Sequence, residues 1–307
     1  MHRRRPSSRP SRFGPLLRLL TIAGLALGSA LPASAADWSK VADTLGKSGT
    51  EMPGNVYRVG LPRTDLRVTL DGVAIKPALA LGSWLAFQSS GDMATVMGDL
   101  VLTEDEVNPV MKRLAEGGIE ITALHNHLLR ARPATFYMHV LGHGDPAKLA
   151  AALHDGLALS GTPLGNPAPV SSQPQPLDLD TAMIERTLGA KGKAVGGVYQ
   201  IGIPRAEPVR DGGMDVPAAM GSAEAINFQP TGGGKAAITG DFVLTAEEVN
   251  PVLRALRAHG IEVTALHNHM LNDAPRLFFM HFWANDDAGK LAQGLRAALD
   301  RINVARS

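Results

Sequence analysis

Alternating and helical periods take turns along this chain, and the whole series runs twice. VYRVGLPR at 56–63 alternates β-branched and polar residues and closes at Pro62; VYQIGIPR at 198–205 does the same and closes at Pro204. Short helical lead-ins precede both, at 38–46 and 179–188. LRVTLDGVAIKP predicts a hairpin turning at Asp71-Gly72, with a looser counterpart at Arg210-Asp211-Gly212-Gly213. Two further strands are predicted at 85–88 and 94–102, with counterparts ending at Gln229 and Leu244. A helix follows. Thr103 with Glu106, and Thr245 with Glu248, fit capping boxes; Asn108-Pro109 and Asn250-Pro251 fit a cap followed by proline at the first helical position. Both solutions end the helix at Gly118 or Gly260. Then come a strand at 119–127, a turn at Arg132-Pro133, a strand at 135–141 and a helix at 146–157. The pattern predicts an α+β fold: two tandem repeats of a mixed sheet with packed helices, related by a pseudo-twofold axis.

The repeat is exact enough to number. ALHNHLL at 123–129 returns as ALHNHML at 265–271, a shift of 267 − 125 = 142, which also maps Tyr57 onto Tyr199 and His139 onto His281. Between the copies, SGTPLGNPAPVSSQPQP has no apolar period and reads as a linker stiffened by proline. The predicted organisation is a leader at 1–36, repeat one at 37–160, a linker at 161–176 and repeat two at 177–307. The leader has six arginines, no acid, an apolar run too short to span a bilayer, and Ala33-Ser34-Ala35 before Ala36, the pattern of a cleaved secretory signal. Its paired arginines leave general and twin-arginine export both open. The formal charge of +1 therefore falls to about −5 once those six arginines are removed. That balance, with no stripe of Lys and Arg, gives no basis for nucleic-acid binding. Cysteine is absent, which excludes disulfides, a lipobox, thiolate metal sites and a thiol nucleophile. The expectation is a periplasmic or secreted protein with no membrane anchor after cleavage.

The candidate chemistry lies in the best-matched stretch. Strand alternation places Ile119, Ile121, Ala123, His125 and His127 on one face and Glu120, Thr122 and Asn126 on the other. Pairing about residue 132 sets His139 opposite His125 and Tyr137 opposite His127. Three imidazoles then converge, an arrangement known for zinc, and imidazole also suits copper. The predicted metal ligands are His125, His127, His139, His267, His269 and His281. Between the copies many neighbours have changed, including Arg130, His143 and Lys112, while these six histidines are retained. Two readings stand. In one, each cluster binds a transition metal, zinc or copper, for hydrolysis of a small substrate or for metal handling. In the other, the histidines form a hydrogen-bonded cluster in a metal-free structural or small-ligand-binding module, or act as acid–base groups.

The remaining shared polar residues have quieter readings. Asp99 and Asp241 could orient an imidazole, but they and Arg63 and Arg205 are read first as salt-bridge or turn residues. Glu106 and Glu248 are read as helix caps. Glu120 and Glu262 are placed away from the histidines. His143 becomes Asn285 and so serves at most one copy. Ser83 and Ser222 lack a nucleophile elbow, and Gly232-Gly233-Gly234-Lys235 lacks the spacing of a phosphate loop. Contiguous His-Asn-His within one strand, without a basic groove, does not match an HNH nuclease. Met138, Met270 and Met280 are read as core.

The recurring Gly-Asp-x-Val-Leu-Thr-x-x-Glu-Val-Asn-Pro-Val, Ile-Glu-x-Thr-Ala-Leu-His-Asn-His and Phe-x-Met-His strings resemble the LppY/LpqO family of exported bacterial proteins, over most of both copies. The resemblance implies a secreted, duplicated domain. It supplies no catalytic residues, and the lipid anchor of some members does not carry over to a chain without cysteine.

Overall fold

The computed structural model describes residues 37–165 and 176–305. The predicted leader, and most of the predicted linker, lie outside the described residues.

The N-terminal repeat runs α1 (Ser39–Leu45), β1 (Thr50–Met52), β2 (Val56–Pro62), β3 (Thr69–Leu70), β4 (Val73–Ala74), α2 (Pro77–Ala80), β5 (Gly82–Ser90), β6 (Met93–Thr103), α3 (Glu104–Glu116), β7 (Glu120–His125), β8 (Thr135–Gly144) and α4 (Pro146–Leu157). The C-terminal repeat runs α5 (Thr181–Leu188), β9 (Gly192–Val195), β10 (Val198–Pro204), β11 (Arg210–Asp211), β12 (Met214–Asp215), a 3-10 turn (Ala218–Met220), β13 (Ala223–Gly232), β14 (Lys235–Leu244), α6 (Ala246–Ala258), β15 (Glu262–His267), β16 (Asp273–Ala274), β17 (Phe278–Asp287) and α7 (Ala288–Leu299). The two six-stranded sheets have the equivalent orders β1-β2-β5-β6-β8-β7 and β9-β10-β13-β14-β17-β15. The α+β class and the tandem repeat hold, but the sheet expected to be mixed is antiparallel in every pairing among the described strands. The order of the strands explains it: α3 crosses from β6 to β7, which run the same way, but β8 inserts antiparallel between them, and α6 does the same for β14, β15 and β17.

Of the two helix starts open in the sequence, the capping box forms. Thr103 and Thr245 cap α3 and α6 reciprocally with Glu106 and Glu248, and Pro109 and Pro251 lie inside the helices. The first turn thus begins five residues earlier than an Asn-Pro start would place it.

Strand parity divides each sheet into two buried faces. Leu100, Leu102, Met138 and Val140 pack against Val110 and Leu114 of α3 and Leu149 and Leu153 of α4. The opposite parity faces the other repeat: Met97 and Leu141 pack with Val243 and Phe279, and Val101 and Tyr137 with Ala237 and Trp283. The layers are therefore helices, sheet, sheet, helices. Strands buried on both faces explain the near-continuous apolar run of β6, which is buried from Ala94 to Leu102.

The segment between β2 and β5 crosses to the partner repeat. Gln229 accepts from the Lys76 backbone N–H (2.9 Å) and donates to the Ala74 carbonyl (2.8 Å), and Gln200 donates to the Ala78 carbonyl (2.8 Å). In return, Arg58 donates to the Ala219 carbonyl of the 3-10 turn. No helix among the described residues is long and apolar enough to cross a membrane.

Candidate metal centre

Three strands of each repeat deliver polar side chains to the space between the sheets. Asp99 stands in mid-β6 with its Cα opposite His139 of β8, and His139 stands opposite Ala123 of β7. The expected register is corrected here: His125 faces Tyr137, not His139. The parity is corrected too. A bulge at Thr122 interrupts the pairing between Ile121 and Ala123, so Ile119 and Ile121 join the helix-side core while Ala123 and His125 turn to the other sheet face. Glu120 thereby shares the parity of Leu141 and His139, contrary to the alternation expected from sequence; it is exposed and stands apart from the cluster. Thr264 repeats the bulge in β15, where Ala265 faces His281 and His267 faces Phe279.

All six predicted histidines meet in one place. Across the pseudo-twofold axis the ring centroids of His125 and His267 are 3.4 Å apart, those of His127 and His281 3.7 Å, and those of His139 and His269 3.7 Å. Within a repeat, His125 is 5.0 Å from both His127 and His139, and His267 is 5.0 Å from His269 and 4.9 Å from His281. The cross-repeat distances are the shorter ones, so the two triads expected from sequence form a single cluster. His127 and His269 lie just beyond their strands and stack on Tyr137 and Phe279, each with centroids 3.4 Å apart.

Two carboxylates complete the cluster. Asp99 lies 3.8 Å from His127 Nε2 and 3.9 Å from His139 Nε2; Asp241 lies 3.2 Å from His269 Nε2 and 3.8 Å from His281 Nε2. Their first reading as salt-bridge or turn residues understates them. The signal was available: each is a lone carboxylate inside an otherwise apolar strand. The glycine before each is also explained. A Cβ on Gly240 would lie 2.0 Å from the Ala225 carbonyl oxygen, and one on Gly98 2.8 Å from that of Trp84. The close approach holds the Gly240 carbonyl where it accepts a hydrogen bond from His281 Nδ1 (2.9 Å), and Gly98 receives His139 in the same way.

That hydrogen bond fixes the tautomer. With Nδ1 protonated toward a backbone carbonyl in His139, His267 and His281, Nε2 of these rings keeps its lone pair. The Nε2 atoms of all six histidines are buried and make no hydrogen bond within the protein, and the same holds for Asp99 Oδ1 and Asp241 Oδ1. Burial, together with neighbouring imidazoles, drives His125, His127, His139 and His269 below the usual histidine range. Burial likewise lowers His267, and it pushes His281 down to about 3 against the pull of Asp241. The rings are neutral imidazoles at physiological pH. Burial and the charge of Asp241 raise Asp99 well above the usual carboxylate range, and burial raises Asp241. Ligand atoms of His125, His267, His269 and His281 all lie within 4.8 Å of one another. Tetrahedral zinc with bonds of ~2.0–2.1 Å asks for donors about 3.4 Å apart, so small side-chain movements close this set on one ion. The donor chemistry fits a transition metal and excludes none of the imidazole-binding ones.

The other sequence candidates fall elsewhere. His143 bonds Thr95 Oγ1 (3.0 Å), outside the cluster. Met138 and Met280 lie in the helix-side cores and Met270 between the sheets, so no thioether joins the donors. A cavity of about 760 Å³ opens onto His127, His139, His269, His281 and both aspartates.

No curated protein matches the chain. Among solved structures, a trimeric bacterial microcompartment shell protein, PduB, aligns over 85% of this chain and 97% of its own at 12% identity, with a TM-score of 0.22, too low to carry an argument. The family model described as Domain of Unknown Function (DUF1259) matches residues 39–159 and again 182–301. Those two matches cover most of the chain and coincide with the two sheets, so the protein belongs to the DUF1259 family and has its domain twice in tandem.

Proposed function

We propose that the protein is an exported metalloprotein whose two repeats together hold a transition metal at their interface, with hydrolysis of a small organic substrate as its reaction class. One observation carries this reading: eight buried atoms that make no hydrogen bond, from six neutral imidazoles and two carboxylates, converge between the sheets. A buried polar atom without a hydrogen bond costs roughly 1–3 kcal/mol, so this many in one place call for something to satisfy them. A cation does so. Nitrogen and oxygen donors without a thioether disfavour copper(I) and suit zinc or copper(II). Such an ion supplies Lewis acidity. The chain's own residues fix the tautomers of His139, His267 and His281 through backbone carbonyls, place two carboxylates beside Nε2 atoms, and leave a cavity on one side for a substrate. Export rests on the basic, apolar leader, and the LppY/LpqO resemblance points the same way.

Elemental analysis of untagged protein purified from its own compartment tests the reading. The expected result is zinc or another imidazole-binding metal in stoichiometric amount, with a melting temperature that falls on chelation and recovers on re-addition. Metal-free protein that melts identically with and without chelator would leave only the hydrogen-bonded cluster.

A further inference from the structure

The cavity wall has diverged between the repeats where the histidines have not. Arg58 of β2 faces it from the N-terminal repeat, and its counterpart in β10 is Gln200. Trp84 stands opposite Asp99 in β5, where Ala225 stands opposite Asp241 in β13. The Arg58 guanidinium lies 4.0 Å over the Trp84 ring and donates one Nη1 hydrogen bond to the Ala219 carbonyl. Among the described residues, no carboxylate lies within ion-pair distance of it. Burial lowers its pKa to about 10, with the charge of Asp99 opposing, so it is cationic at neutral pH. The cavity therefore has one partly buried, rigidly stacked cation beside the centre, facing a neutral glutamine across the axis.

Room for a ligand is built in beside it. Gly60 and Gly202 occupy equivalent positions on the two inner strands, and a Cβ at either would meet nothing within 4 Å. Pro62 and Val195 contribute apolar wall.

We propose that this cavity binds a small organic carboxylate, its carboxylate held by Arg58 and its apolar body directed toward the histidine–aspartate centre. A single guanidinium matches a single carboxylate in charge, and with Nη1 tied to a carbonyl the remaining donors offer the forked geometry that carboxylates accept. The inference rests on the proposed centre only for what lies at the far end of the ligand; the Arg58 anchor needs no metal.

Calorimetric titration of the full chain with benzoate, and with benzamide as its neutral isostere, tests it in chelated and zinc-loaded protein. The expected result is one benzoate per chain, bound at least tenfold tighter than benzamide in both preparations. Arg58→Gln, which copies the other repeat, should bring benzoate to the benzamide level, while Lys193→Gln at the exposed rim should change it less than twofold. Equal binding of benzoate and benzamide by the unaltered chain overturns the proposal without recourse to any variant. So does benzoate binding that requires zinc and ignores Arg58→Gln. Failure to find metal, with the Arg58-dependent preference intact, would remove the proposed centre and leave this anchor standing.

Discussion

Arg63 and Arg205 show how much one buried side chain can organise. Each guanidinium is about 1% exposed, yet Arg63 bonds Asp65, Glu106 and the Val101 carbonyl, and Arg205 bonds Glu207, Glu248 and the Val243 carbonyl. The glutamates are the same ones that close the capping boxes, so one carboxylate ties a helix start, a strand and the chain after the last helix: Glu106 also accepts from Gly161 N–H and Glu248 from Asn303 N–H. Truncating Arg63 to alanine leaves Glu106 without its cation. The expected loss is about 3 kcal/mol, the low end for a broken buried pair because Asp65 and Glu106 keep some solvent, read as a lower urea midpoint at unchanged slope. Arg63→Lys should restore little, since an ammonium cannot reproduce the forked contacts to Asp65 and Glu106 together. The same group predicts a pH effect. Burial raises the Glu106 carboxyl, but hydrogen bonds from Arg63, Gly161 and Thr103 outweigh it and leave the pKa below its usual value. A folded pKa below the unfolded one stabilises above the unfolded pKa, near ~4.3, and that stability drains as pH falls through the folded value. Glu106→Gln should therefore flatten the acid limb of a stability–pH profile while lowering the plateau at neutral pH. The sequence named these residues as caps and salt-bridge partners. What it could not show is that cap and bridge share one carboxylate, because the 43-residue separation of Arg63 from Glu106 is bridged only by the sheet.

Elements were legible wherever their period ran unbroken. Helices α3, α4, α6 and α7 and the long central strands follow from capping boxes, proline starts and apolar runs. The failure was one residue wide. An extra residue at Thr122, and at Thr264, resets the alternation of β7 and β15, and no local signal distinguishes a bulged strand from a straight one. Counting straight through put the isoleucines and histidines on one face; the structure sends the isoleucines to the helices and the histidines to the other sheet. The bulge is thus what allows an edge strand to serve two cores. Deleting Thr122 restores simple alternation and forces a choice between them. The expected outcome is that Ile119 and Ile121 keep the helix-side core, His125 and His127 rotate out of the cluster, and metal content falls while far-ultraviolet dichroism stays near that of the parent. A ΔThr122 protein with unchanged metal content would show that the loop after His125 positions the rings without help from the bulge.

At the scale of the molecule, duplication made a site that neither copy contains. A shift of 142 positions says that copies exist and is silent on how their faces meet, which from sequence leaves two triads. The answer lay in the doubly buried strands: a sheet with helices on one face and apolar residues on the other needs a second sheet, and the second copy is the nearest one. Packing the inner faces together brings both His-x-His segments to the axis, where His125 and His267 are nearer to each other than to any ring of their own repeat. This geometry separates one shared centre from two independent ones by experiment. If each repeat bound its own ion, His125→Ala with His127→Ala would remove half of the metal and spare the rest. In the shared cluster, the four-histidine set draws His125 from one repeat and His267, His269 and His281 from the other, so the same pair of substitutions in the N-terminal repeat alone should weaken binding of the one shared ion rather than remove one ion and spare another. The effect on stability should follow the metal. Binding at a free metal concentration 100 times the dissociation constant contributes about 2.7 kcal/mol, so chelator should lower the melting temperature of the parent and lower that of the double variant by less. Retention of half the metal, with a chelator response to match, would mean that the two halves act separately despite their contact.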